Sequence, residues 1–157
     1  TTKISDFTEI APDDFTRIQQ VNVTAPFMLS RAVVPGMKER GWGRIVQIAS
    51  IFGIVSRQGR ASYSTSKAAL DGMTAALSAE VAQFGILANC VSPGFVETEM
   101  TRKSLGQAGE AELAAQVPAR RLGTPREIAA FVAWMAGPEN TYISGQNIAI
   151  DGGFTRV

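Results

Sequence analysis

Histidine is absent from this 157-residue chain, and cysteine occurs once. Without histidine the chain cannot supply a Ser-His-Asp triad, a histidine general base or a histidine-ligated zinc site. One cysteine excludes an internal disulfide and a four-cysteine metal site, so no metal centre is predicted. So little cysteine is typical of a reducing compartment, and we expect a cytoplasmic protein. Catalysis by this chain must therefore use tyrosine, lysine, serine, asparagine or a bound cofactor.

A charge excess and a long apolar run are also absent. Lys and Arg total 15 against 14 Asp and Glu, which gives a net charge of +1. A protein with so small a net charge has no bulk field to attract nucleic acid or an anionic membrane surface. No run of about 18 apolar residues is present to span a bilayer. The composition therefore predicts neither a nucleic-acid partner nor a membrane segment.

Helical and strand-like segments alternate along the chain. Short apolar, β-branched runs indicate buried strands, and longer segments with apolar residues at helical spacing indicate helices. The predicted helices are 12–40, 62–84 and 124–136, and the predicted strands are 44–49, 86–91 and 146–150. We expect Pro26 and Pro35 to bend or break the first helix. Residues 97–121 are small and polar, which indicates a mobile excursion with one or two short helices.

This order of elements predicts an α/β fold with a parallel sheet joined by crossovers. Three strands make a small sheet, and the first of them, 44–49, has the composition of a central strand. No G-x-G-x-x-G turn follows any strand, although a doubly wound domain carries one after its first strand. We therefore expect residues 1–157 to be the C-terminal part of a single Rossmann-like domain.

The side chains of Tyr63 and Lys67 lie on one face of the clearest predicted helix because they are four residues apart. A phenol is protonated near neutral pH, and a nearby ammonium or a helix N-terminus stabilises its ionised form. Such a pair can exchange a proton with the oxygen of a ketone or an alcohol. Taken alone, this spacing is more often that of a surface pair without function.

Three further features lie where they could meet this pair. Ser50 ends the first predicted strand, 13 residues before Tyr63, and open α/β sheets bind ligands at the carboxyl ends of their strands. Pro93-Gly94 follows the second strand at the same edge, where backbone can approach a flat ligand. Asn22 lies between two valines in a helix, where asparagine is unfavourable. A buried Asn22 that bonds its own backbone is an equally good interpretation.

In order and spacing, these residues resemble the classical short-chain dehydrogenase/reductase family. The likeness covers essentially the whole chain and points to the branch with 3-oxoacyl-acyl-carrier-protein reductases and many sugar, polyol and steroid dehydrogenases. The matching features are Asn22, Ser50 at a strand end, Tyr63-x-x-x-Lys67, Pro93-Gly94-Phe95-Val96-Glu97-Thr98, Ser144-Gly145-Gln146 and Asp151-Gly152-Gly153. The resemblance implies a doubly wound Rossmann-like fold and hydride transfer between NAD or NADP and a secondary alcohol or ketone.

The same resemblance implies a role for each matched residue. Tyr63 is expected to be the catalytic acid/base, Lys67 to hold the nicotinamide ribose and stabilise the phenolate, and Ser50 to orient the substrate oxygen. Asn22 is expected to keep a water molecule in a proton relay. The residues expected to bind the cofactor are Tyr63, Lys67, Pro93, Gly94, Val96 and Thr98. Because all four catalytic positions are filled, we expect a competent active site.

The sequence departs from the family in what precedes these motifs. The family's glycine-rich phosphate turn, its N-N-A-G motif and the residue that selects NAD or NADP are not in this chain. We therefore expect a missing N-terminal half to hold the cofactor phosphates. The segment alone is expected neither to turn over nor to bind NAD(P)H tightly; micromolar binding by calorimetry would contradict this.

Alternatives remain open for the function and the partners. The segment could be a non-catalytic fragment or an oligomerising subunit, or belong to the epimerases and dehydratases of the extended branch. Helices 12–40 and 62–84 resemble the family's dimer-forming helices, and the last helix and strand resemble its second interface, so a homotetramer is expected. An acyl-carrier-protein partner is in doubt because the family's two arginines for it correspond to Gly41 and Phe84.

The cations around residues 100–117 also allow two interpretations. They are Arg102, Lys103, Arg120 and Arg121. The excursion is either a solvated loop or a lid whose cations meet an anionic substrate.

Overall fold

The computed structural model describes residues 4–157, and of Met100, Ser104 and Leu105 it describes the backbone alone. The helices are α1 (Pro12–Gln19), α2 (Ala25–Arg40), α3 (Ala61–Val81), α4 (Glu99–Gln116) and α5 (Pro125–Ala136), and the strands are β1 (Gly43–Ile48), β2 (Ile86–Pro93) and β3 (Asn147–Ile150). Across the described residues, no helix combines the length and apolarity needed to cross a membrane.

The three strands form one parallel sheet in the order β1-β2-β3. All of β2 except its last residue is buried, as expected of a central strand. The predicted end of β2 at Val91 is wrong, because Pro93 still pairs with Ile150. Pro93 has no N–H to donate, and the ladder continues because the N–H of Gly94 donates to the carbonyl of Ile150 at 2.9 Å.

Helices cover both faces of the sheet. Cys90 contacts α3, and its register partner Gln47 donates to Ser30 of α2, so α2 and α3 share one face. Asn89 points to the opposite face, where its side chain donates to the carbonyl of Ile143 in the connection between α5 and β3. This arrangement confirms the predicted doubly wound α/β fold for the part of the domain that the chain contains.

The expected break in helix 12–40 lies at a different place from the one predicted. Pro35 lies inside the continuous α2, and Pro26 occupies its first turn, where a missing N–H costs little. The break is instead a π-helical segment, Gln20–Thr24, with Asn22 at its centre. Here the N–H of Ala25 donates to the carbonyl of Gln20, five residues back. Pro26 therefore follows the π-helical turn in sequence and does not cause it.

The ends of the last helices follow from local sequence. Gly85, in the left-handed region at φ +73°, ends the short 3₁₀ turn after α3. Thr124 and Glu127 form a capping box at the start of α5. Within α4, Gly106 has φ +63° and ψ 179°, which is not a helical conformation. Residues 99–116 are therefore two helical pieces, and the sequence predicted one or two short helices here.

Candidate active site

Ser50 follows the carboxyl end of β1 and is buried. Its Oγ accepts the N–H of Phe52 at 3.2 Å, and its carbonyl accepts the N–H of Gly53 at 2.8 Å. These bonds hold Ser50 and the turn Ile51–Gly53 as one unit. The hydroxyl therefore has a defined position at the carboxyl edge of the sheet, as the sequence predicts.

Tyr63 and Lys67 lie in the first two turns of α3, and both are half-buried. The Nζ of Lys67 is 5.7 Å from the centre of the Tyr63 ring. The same Nζ donates at 2.7 Å to the carbonyl of Ile48, the last residue of β1. Because Ile48 is two residues before Ser50, this bond holds the Tyr63–Lys67 pair at the edge of the sheet where Ser50 lies.

The position of Lys67 changes its electrostatics. Burial lowers the pKa of the Lys67 ammonium, with a weaker opposing effect from Cys90. Burial also raises the pKa of the Cys90 thiol, and the opposing hydrogen bond to Thr74 is the next effect in size. The Sγ of Cys90 is 3.1 Å from the Thr74 hydroxyl to which it donates. Cys90 is thus a packed thiol that burial keeps neutral, and Lys67 brings an amino group to this edge.

Asn22 contacts the same helix from the other side. Its Nδ2 donates to the Oγ of Ser66 at 3.0 Å, and that hydroxyl donates to the carbonyl of Tyr63 at 2.7 Å. Asn22 is buried, and its side-chain nitrogen bonds α3, a contact that neither interpretation of the sequence included. The side chain links the π-helical segment to the turn that bears Tyr63.

Pro93 and Gly94 lie at the carboxyl end of β2, beside the end of β1. A Cβ built on Gly94 would lie 2.7 Å from the Cα of Asp151 and 2.8 Å from its Cβ. Packing against the chain after β3 thus already requires glycine at this position. Burial raises the pKa of Asp151, but hydrogen bonds from Thr155 and the N–H of Gly153 outweigh it, so the net shift is downward.

Val96 and Thr98 have structural partners of their own. Val96 forms an isolated parallel bridge with Gly123, in which the N–H of Glu97 donates to the carbonyl of Gly123 at 2.8 Å. The Oγ1 of Thr98 caps α4 by accepting the N–H of Thr101 at 3.1 Å. The structure thus places both residues on the segment that leads from β2 into α4, and their contact with a cofactor stays a prediction.

Sequence reasoning missed an aromatic row at this edge. The rings of Phe52 and Phe95 meet edge-on with centres 6.1 Å apart, and Phe95 meets Phe154 in the same way at 5.0 Å. The row connects the turn after Ser50 to the segment after Pro93. Loop residues carry no periodic signal, so only their positions after two strand ends could have indicated it.

The cations of the excursion are engaged by nearby groups. Arg102 pairs with Glu97 at 2.5 Å, Lys103 with Glu99 at 2.6 Å and Arg121 with Glu127 at 2.6 Å. Arg120 donates to the carbonyl of Ala115 at 2.6 Å. These contacts favour the solvated-surface interpretation over cations held ready for an anionic substrate.

Comparison with known proteins agrees with this arrangement. Residues 1–155 match the family model described as enoyl-(acyl carrier protein) reductase. The chain belongs to the short-chain dehydrogenase/reductase family. It is 43% identical over 141 residues to the 3-oxoacyl-acyl-carrier-protein reductase of Vibrio cholerae, covering 90% of this chain and 57% of that protein. It is 39% identical over 147 residues to the acetoacetyl-CoA reductase of Cupriavidus necator, covering 94% and 59%.

Solved structures of family members have the same fold. A gluconate 5-dehydrogenase from Burkholderia cenocepacia, in complex with NADP and tartrate, has a TM-score of 0.93 at 30% identity. The match covers 99% of this chain and 62% of that one. ElxO with NADP bound also has a TM-score of 0.93, at 27% identity, over 98% of this chain and 63% of that one. The chain therefore spans about three fifths of the length of these relatives.

The donor set at the edge suits the reactive end of a nicotinamide cofactor. It combines a hydroxyl on Ser50, a phenol on Tyr63 and an amino group on Lys67, with the backbone of Pro93-Gly94 at the end of the neighbouring strand. Within residues 4–157, by contrast, no G-x-G-x-x-G turn follows a strand. A phenol and an ammonium are groups that can exchange a proton with an oxygen and bind a sugar hydroxyl.

Proposed function

We propose that this chain provides the catalytic half of an NAD(P)-dependent oxidoreductase that interconverts a secondary alcohol and a ketone. The observation that carries the proposal is the hydrogen bond from Lys67 to the carbonyl of Ile48, at 2.7 Å, which joins the Tyr63–Lys67 pair to the strand end that bears Ser50. Family membership supports the same activity. The cofactor, NAD or NADP, supplies or accepts the hydride when bound.

Each residue then has one task at the substrate oxygen. Tyr63 gives its phenolic proton to that oxygen in reduction and takes it back in oxidation. Ser50 donates a hydrogen bond that orients the oxygen, because its hydroxyl is already fixed by the turn that follows. The Lys67 ammonium, whose nitrogen lies 5.7 Å from the centre of the Tyr63 ring, holds the ribose hydroxyls.

The remaining predicted residues serve the proton path and the nicotinamide. Asn22 keeps a water molecule that resupplies the proton; the bond from its side chain to Ser66, which holds it against the turn that bears Tyr63, supports this. Pro93, Gly94, Val96 and Thr98 flank the nicotinamide ring and its carboxamide. Their common position on the segment after β2 supports this assignment.

We infer that a preceding part of the protein pairs with β1 and binds the cofactor phosphates. Among the described residues β1 has one strand neighbour, β2, and its other edge is open. A groove of about 260 Å³ beside that edge is lined partly by apolar residues of α2, among them Leu29 and Val33. A further parallel strand would satisfy the free backbone groups and cover the groove.

We also propose that the full-length protein is a cytoplasmic homotetramer. Phe27 and Met28 of α2 are each 49% exposed, and a groove of about 330 Å³ runs between α2 and α3. On α5, Trp134 stacks on Phe131 and is 41% exposed. Pairing these two faces with other copies would bury them. Light scattering that gives a monomer would contradict the assembly.

The test of the proposed activity compares two serines in the full-length protein. Ser50→Ala is expected to slow ketone-dependent NAD(P)H oxidation by about 100-fold or more, since general positioning and hydrogen bonding at the reacting oxygen are lost. Ser56→Ala, at an exposed position of the same loop where the hydroxyl is bonded to that of Ser64, should leave the rate within about twofold. Equal rates in both variants would favour the alternative, a non-catalytic oligomerising role.

A further inference from the structure

The turn Ile51–Gly53 lies between the two halves of the proposed catalytic group. Ile51 is 1% exposed and anchors the turn in the core. The carbonyl of Ile51 accepts the N–H groups of Ile54 and Val55, at 2.9 and 2.8 Å. Together with the two bonds to Ser50, these contacts leave the turn little freedom.

Gly53 is where this turn meets α3. A Cβ built on Gly53 would lie 2.7 Å from the carbonyl carbon of Lys67, 2.9 Å from its oxygen and 2.9 Å from the nitrogen of Ala68. All three atoms belong to the helix backbone, so no flexible side chain could move aside. The φ of Gly53 is not positive, and its backbone conformation is open to other residues. The contact with α3, and not backbone strain, therefore requires glycine here.

We propose that Gly53 is a positioning residue that sets the separation between the Ser50 hydroxyl and the Tyr63–Lys67 pair. This rests on the proposed function. The Lys67 side chain reaches the carbonyl of Ile48, and its backbone lies against Gly53, so the turn is the spacer between the strand end and the helix. Glycine gives the closest approach that a backbone allows.

The perturbation is Gly53→Ala in the full-length protein. Since carbon contacts are normally no shorter than about 3.5 Å, the turn or α3 would move by roughly 0.8 Å. A displacement of that size at reacting groups reduces kcat by about 10- to 100-fold. The matched control is Gly72→Ala on the exposed side of α3, where a Cβ meets nothing within 4 Å. Since alanine favours helix, kcat should stay within about twofold when light scattering gives the same assembly as the parent.

A double-variant cycle separates positioning from general damage. If Gly53 acts through the spacing to Ser50, the effect of Gly53→Ala on kcat should shrink to about threefold or less in a Ser50→Ala background. The same fold-loss in both backgrounds, or an unchanged kcat in Gly53→Ala alone, would overturn the proposal. If instead Tyr63→Phe retained full activity, the proposed function itself would fail.

Thermal unfolding determines whether Gly53→Ala folds. If it does not, Ile51→Val loosens the same turn without placing an atom against α3. Its kcat should fall more than that of Ile86→Val, an equally conservative change at the fully buried start of β2. Equal kcat values in these two variants would contradict a positioning role for the turn.

Discussion

The hydrogen bond between Asn22 and Ser66 allows a quantitative test of how the π-helical segment supports the site. The Asn22 side chain donates to the Ser66 hydroxyl at 3.0 Å, and Ser66 is 0% exposed. Replacing Asn22 by alanine removes the donor and leaves the Ser66 oxygen with no replacement from solvent. The Ser66 hydroxyl keeps its own acceptor, the carbonyl of Tyr63.

The expected cost follows from these contacts. A buried polar group that loses its partner costs about 1–3 kcal/mol, whereas the net value of one neutral hydrogen bond is about 1 kcal/mol. Asn22→Ala should therefore lower the free energy of unfolding by about 2 kcal/mol or more, because the lost packing of the Asn22 side chain adds to the cost of leaving the Ser66 oxygen without a donor. Ser66→Ala should cost about the same, and the double variant about 1 kcal/mol less than the sum of the single variants.

The assay is urea unfolding of the full-length protein and the three variants, with linear extrapolation to water. A coupling free energy of about 1 kcal/mol would support the direct contact between the π-helical segment and α3. Costs of Asn22→Ala and Ser66→Ala that simply add would refute it. Kinetics on the same variants add a second reading, since the proton-relay role predicts that Asn22→Ala loses more activity than Ser66→Ala.

Two further predictions concern packing and pH. Gly94→Ala should lower the free energy of unfolding by about 1–3 kcal/mol, measured by thermal unfolding, because the new Cβ overlaps Asp151. In the control Gly123→Ala the Cβ would be 3.7 Å or more from its neighbours, and the free energy of unfolding should stay within about 0.5 kcal/mol of the parent. Equal losses in the two variants would contradict the packing account. Hydrogen bonds from Arg121 and Thr124 lower the Glu127 pKa from 4.5 to about 2. Its contribution to stability is therefore complete above pH 4.5 and is lost as the pH falls through about 2. The difference in urea midpoint between Glu127→Gln and the parent should therefore shrink as the pH falls from 4.5 to about 2. A midpoint difference that does not change with pH would exclude the charge of Glu127 as its cause.

The position of the site could be predicted from the sequence because it depends on two local rules. Residues four apart share a helix face, which brings Tyr63 and Lys67 together, and parallel strands end at one edge, which brings Ser50 beside Pro93. Both rules need only the element types, and the apolar periodicity of this chain indicates those clearly. The family motif then connects the two groups.

Other features depend on contacts between distant parts of the chain. The bond between Asn22 and Ser66 joins residues 44 apart in sequence, and nothing local to Asn22 indicates its partner. Proline suggested a break at Pro26, but a helix tolerates proline in its first turn, so the irregularity lies one turn earlier. Gly53 has an ordinary φ, and its role is apparent only once α3 is packed against it.

The most direct test of the account is the role of Tyr63, and the chain offers its own control. It contains two tyrosines, Tyr63 in α3 and Tyr142, which is 95% exposed. In the full-length protein, Tyr63→Phe should reduce ketone-dependent NAD(P)H oxidation by at least about 100-fold, as loss of the acid/base removes its catalytic contribution. Tyr142→Phe should retain the parent rate. Equal rates for the two variants would contradict the central claim that Tyr63 transfers the proton.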